Sequence, residues 1–260
     1  MSTLLRLLAV VIVVSTPSLS GQDVSGIWRE VQEAFRSGDR FAIPALVADA
    51  AGDAETVARY MDIERALYWE GRDLPAAVFV AEQAIAYCLT RAALASSESP
   101  ALAAQLTAAA GRIAYNLASS TWPGWDEADI EITSQQRELG WASARLALSV
   151  SEDLDAGPAA LANGNWMVGA HQLAAGEFPD AVRSFERAAL LARGVEDRGM
   201  ELTSAGFAAL AEIADDRSSD DALERLDDIR QQIERDVSDP VFWTGQLDTA
   251  ARVFLGESLD

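Results

Sequence analysis

The chain has 260 residues, half of them hydrophobic, enough to bury one ordinary core, and its single Cys can form no internal disulfide. All 20 basic side chains are Arg, set against 41 Asp and Glu, for a formal charge of −21. That excess repels phosphate backbones and anionic headgroups, so it argues against nucleic acid and membrane-surface binding and leaves basic or neutral peptides as permitted partners.

Residues 1–20 carry an Arg near the start, an apolar run over 7–14, and small residues at Ser18 and Ser20. This pattern predicts a signal peptide cleaved after Ser20, and the apolar run is too short to span a bilayer comfortably. Cys88 is remote from this point, so no lipid attachment is expected. The remaining stretch, 21–260, reads as a single helical domain exported to the periplasm or secreted.

Residues 24–36 predict a helix with Ile27, Trp28, Val31 and Phe35 on one side, broken by Ser37, Gly38 and Asp39. A shorter helix over 41–51 accepts Pro44 in its first turn. Gly52 stops it, and Asp53 is placed to cap the next. Residues 54–70 carry Val57, Met61, Ala66, Leu67 and Trp69 up to a turn at Gly71, after which Pro75, Ala77, Ala81 and Ala84 follow. Cys88 lies in an apolar run and reads as a buried small hydrophobe. Ser99 and Pro100 open another helix through Leu102, Leu106, Ile113 and Leu117. The segment SSTWPGWDEAD then interrupts, and a long helix is expected to resume near Glu127 and run past Ile132, Leu139, Trp141, Leu146 and Val150. Gly157 and Pro158 begin the next unit.

The clearest hairpin spans 163–192. Trp166, Gly169 and Leu173 share one helical face before Gly176, and Ala181, Phe185 and Ala188 share one after it. This resembles a tetratricopeptide repeat, whose first helix carries a large and then a small residue and whose second carries an Ala, aromatic, Ala ladder. Gly38 to Gly71 is 33 residues, close to one repeat period, and Gly71 to Gly176 is 105, close to three. Further on, a helix holds Leu202, Phe207, Leu210 and Ile213. Ser218 and Asp221 suggest a capping box before Ala222, Leu226 and Ile229, and Asp239 and Pro240 start a terminal helix. The expected fold is all-α: a right-handed α-solenoid of antiparallel helix hairpins, about five hairpins plus a C-terminal capping helix.

Signals for chemistry are sparse. His171, the lone histidine, has no nucleophile elbow or recognisable partner spacing, and one His with one Cys cannot supply a usual zinc site. No phosphate loop or dinucleotide fingerprint is present. Asp126, Glu127, Asp129 and Glu131 follow two tryptophans, a composition that can serve sugars, yet a helix dipole at a first turn explains them without any substrate. Asp215, Asp216, Asp220 and Asp221 lack the Gly and closing Glu of a calcium loop, and capping suffices for them. No catalytic, cofactor or metal residue is assigned, and the expectation is a protein without enzymatic activity.

The resemblance implies that first helices line a concave groove. The residues it points to are Trp28, Met61, Trp166 and Phe207, ten positions before each turn, with Tyr68, Ala170 and Leu173 nearer the turns and Gln32, Arg65 and Asn163 as polar neighbours. The same large side chains would serve equally as core knobs. The implied function is a protein- or peptide-binding scaffold or adaptor of the bacterial envelope, a homo-oligomer being compatible with it. The alternatives are a carbohydrate-active or cell-wall enzyme using an acid pair near Trp122 and Trp125, and a small-ligand binding protein.

Overall fold

The computed structural model describes residues 24–48 and 52–256. The predicted leader, residues 1–20, and the end of the second predicted helix, residues 49–51, lie outside the described residues. Among those described, the chain forms eleven α-helices and no strand. They are α1 (Val24–Ser37), α2 (Ala42–Ala48), α3 (Asp53–Trp69), α4 (Leu74–Ala95), α5 (Pro100–Ser120), α6 (Ser134–Asp153), α7 (Pro158–Ala175), α8 (Phe178–Gly194), α9 (Arg198–Asp215), α10 (Asp220–Asp236) and α11 (Pro240–Leu255). A single 3-10 turn, Pro123–Trp125, interrupts the connection between α5 and α6.

Local chemistry sets the helix ends. Asp73 caps α4 by accepting from the Ala76 amide at 3.2 Å, and Asp197 caps α9 through the Met200 amide at 3.0 Å. Gly176 closes α7 at φ 77°, a left-handed conformation that disfavours residues with a Cβ. At the preceding predicted turn the left-handed residue is Arg72, φ 47°, and not Gly71. Gly71 serves packing instead: a Cβ there would stand 2.9 Å from Gln32 Nε2 and 3.2 Å from the Trp28 ring.

Three local expectations are corrected. The sixth helix begins at Ser134, not near Glu127, because Thr133 and Gln136 form a reciprocal capping box. Asp126 and Asp129 lie ahead of it with positive φ, so the acids that follow the tryptophans sit in a loop and not in a first helical turn. The box expected at Ser218 and Asp221 is absent. Ser219 is the N-cap of α10 without a side-chain bond, and the Ser218 hydroxyl donates to Asp216 at 2.7 Å. Asp53 does not cap α3; its carboxylate accepts from Tyr87 at 2.5 Å and pairs with Arg91 at 2.8 Å, tying α3 to α4.

Most helices pack mainly against their neighbours in sequence, most extensively α7 with α8 and α8 with α9, while α1 leans chiefly on α3 and α11 on α9. The interlock of α7 and α8 depends on size. Ala181, Phe185 and Ala188 are fully buried, and the Phe185 ring lies against Gly169, where a Cβ would meet three ring atoms at 2.9 to 3.1 Å. The small residue lets the helices approach and the aromatic fills the space between them.

The apolar core falls into two clusters that meet at α5. One joins α1 to α4 with Leu106, Ile113 and Leu117, and the other joins Ala118 and Trp122 to α7 through α11. α4 is long and apolar enough to cross a membrane by composition, with a mean hydropathy of 1.3, and it packs between α3 and α5.

Candidate functional site

The residues expected to line a groove fall into two groups. Trp28, Tyr68, Trp166, Ala170, Leu173 and Phe207 are buried. Gln32, Met61 and Asn163 are half-buried, and only Arg65 is exposed, its side chain 70% accessible and paired with Asp62 at 2.9 Å. Gln32 is already engaged, since its Nε2 donates to Asp73 at 3.0 Å, beside the Arg36–Asp73 ion pair.

Trp28 and Tyr68 belong to the core of α1 to α5, whereas Trp166, Ala170 and Phe207 are covered by the chain's own α5–α6 connection. Trp122 is 1% exposed, and its Nε1–H donates to the Ala170 carbonyl of α7 at 2.7 Å. Its ring meets Trp166 edge-on at 5.6 Å, Phe207 at 5.9 Å and Phe254 of α11 at 5.9 Å. Trp125 stacks on Trp166 at 5.8 Å, while its own Nε1–H donates to Ser119 O at 3.0 Å. Edge-to-face pairs of this kind add to the area they bury, so the loop is a packed element of the core.

Small residues make room for this arrangement. Gly124 lies so close to the Trp122 ring that a Cβ would overlap it. Gly140 of α6 faces Thr121 and His171, with the His171 Cε1 only 2.6 Å from where a Cβ would stand. Thr121 is buried and turns its hydroxyl back to Leu117 O at 2.7 Å, which satisfies it locally.

Two of the four acids that follow the tryptophans are held in ion pairs. Asp126 meets Arg252 of α11 at 3.3 Å, and Glu127 meets Arg72 at 3.1 Å. Trp122 is turned inward, so its ring is not available as an open stacking platform beside these acids.

His171 is 4% exposed, and its Nε2–H donates to the Ala118 carbonyl at 3.0 Å, since a carbonyl can only accept. Burial lowers its pKa from 6.5 to about 4, so the ring is neutral near pH 7. It fills the junction of α5, α6 and α7.

One polar group escaped the sequence reading. Glu64 of α3 is 6% exposed, and burial pushes its carboxyl up to about 7, opposed by the nearby Arg65 charge and a hydrogen bond with Ser120 of α5. Tyr68, one turn on, is raised by burial and further by Glu127 and Glu64. A signal existed: Tyr60, Glu64 and Tyr68 recur every fourth residue, which places an acid on an otherwise apolar helical face. Cys88 is fully buried, its thiol pushed up to about 11 by burial.

Among the described residues, no three His, Cys, Asp or Glu side chains are placed to hold one metal ion. A scan against protein-family models and a search of curated proteins returned no match.

Proposed function

We propose that the chain is a noncatalytic scaffold of the bacterial envelope, exported by its leader, in which antiparallel helix hairpins stack as a right-handed tetratricopeptide-like solenoid and present a surface to a protein or peptide partner. The observation that carries this reading is the α7–α8 interlock, where Gly169 accommodates Phe185 between Ala181 and Ala188. Small-against-large packing between sequence neighbours is the construction of helical repeats, and such arrays work as rigid binding surfaces. Of the groove positions, Met61, Arg65 and Asn163 retain accessible surface, so partner contacts are assigned to that part of the row.

The test is capture of the tagged chain from a native envelope fraction, beside a Met61→Glu, Arg65→Glu variant. A protein retained at fixed stoichiometry by the parent and lost with the variant, at unchanged melting temperature, supports the reading. Recovery of the folded parent chain alone counts against it.

A further inference from the structure

A second surface stands apart from the tryptophan loop. At the start of α8 and the end of α9 the protein opens into a groove of ≈ 440 Å³. α8 supplies Phe178, Pro179 and Val182 to one side, and α9 with the residue after it supplies Glu212, Asp215 and Asp216 to the other. The volume is within the ~300–1,000 Å³ that bound ligands typically occupy, room for one large side chain and its flanking backbone.

The charge balance selects the occupant. Arg183, at the edge of the groove, is held by Asp180 of its own helix, and Glu212 is paired with Arg225. Asp216 accepts from the amide and hydroxyl of Ser218, which orient its carboxylate without neutralising it. Asp215 has no ion pair among the described residues. Asp215 and Asp216 therefore line a groove that also has an apolar wall, in a chain of formal charge −21, and an anionic ligand is repelled. An apolar side chain seated on Phe178 and Val182 would bring a neighbouring Arg or Lys within reach of Asp215 and Asp216.

We infer that this groove is a docking site for a short cationic amphipathic peptide segment, its apolar side chain against α8 and its guanidinium or ammonium group against the end of α9. The site involves none of the groove row discussed above, so it stands or falls separately from the scaffold reading.

The test uses the full chain and isothermal titration with three blocked hexapeptides: alternating Arg and Leu, alternating Arg and Ser, and alternating Glu and Leu. Two variants carry the same change of net charge, Asp215→Arg at the groove and Glu131→Arg on the distant α5–α6 loop. The expected result is one-to-one binding of the Arg–Leu peptide, weakened about tenfold by Asp215→Arg and little by Glu131→Arg, with the other two peptides much weaker. Equal weakening by both variants would reduce the effect to the overall charge and overturn the site. So would Arg–Ser binding as tightly as Arg–Leu, or no binding of Arg–Leu at about millimolar peptide.

Discussion

Glu64→Gln isolates the energetic cost of a carboxylate buried among helices. Burial raises the Glu64 carboxyl from 4.5 to about 7, so the folded protein holds a proton there that the unfolded chain releases. A group raised in this way contributes stability that is fully present below the unfolded value and is lost as pH rises through the folded one. The loss runs at about 1.4 kcal/mol per pH unit between those two values, and so totals about 3 kcal/mol above pH 7. Gln is nearly isosteric, neutral at every pH, and keeps a partner for Ser120. The variant should therefore match the parent near pH 4.5 and exceed it by about 3 kcal/mol at pH 8. Urea unfolding followed by tryptophan fluorescence across this range measures the difference. Subtracting the two curves removes His171 and every other titrating group common to both proteins. Curves that run parallel from acid to alkaline pH would refute the argument and place the Glu64 carboxyl in water.

The remaining expectations are independent. His171→Gln keeps a donor for Ala118 O; because the folded His pKa is lowered to about 4, its stability contribution is present above 6.5 and fades as pH falls toward 4, so the variant should lose about 3 kcal/mol less than the parent over that interval. Phe185→Ala should cost about 3–5 kcal/mol in chemical denaturation, because the ring is fully buried against Gly169; an unchanged midpoint would break the hairpin argument. Cys88 should resist iodoacetamide at pH 8 in the folded protein and react promptly in denaturant, since the thiol is buried and its pKa is raised.

The parts legible in the sequence were those decided within one or two turns of helix. Gly176, Ala181, Phe185 and Ala188 announced the hairpin because small and aromatic residues at helical spacing act locally, and Pro100, Pro158 and Pro240 marked first turns because a proline fits little else in a helix. The start of α6 was misplaced because the acids after Trp125 resemble a first turn, while Thr133 and Gln136 hold the deciding cap. Least legible was the destination of Trp122. It bonds to Ala170, 48 residues away, and no local pattern distinguishes a tryptophan that packs into the core from one that faces solvent. Once Trp122 and Trp125 lie against Trp166 and Phe207, side chains expected to await a partner already have one in the same chain. Glu64 passed unnoticed for the opposite reason, as one acid among 41.

Helices that touch mainly their sequence neighbours ordinarily fray from the ends, each terminal unit opening without disturbing the next. The Trp122 loop changes that for the C-terminal end. Arg252 grips Asp126 across 126 positions of chain, and Phe254 lies against the Trp122 ring. Detaching α11 thus exposes an indole that also covers α7 and α9, so the last helix cannot open at the small cost of a free end. Its amide protons should exchange with solvent about as slowly as those of α7. During synthesis the consequence runs in reverse, since the side of the Trp122 ring that meets Phe254 stays uncovered until α11 has been made.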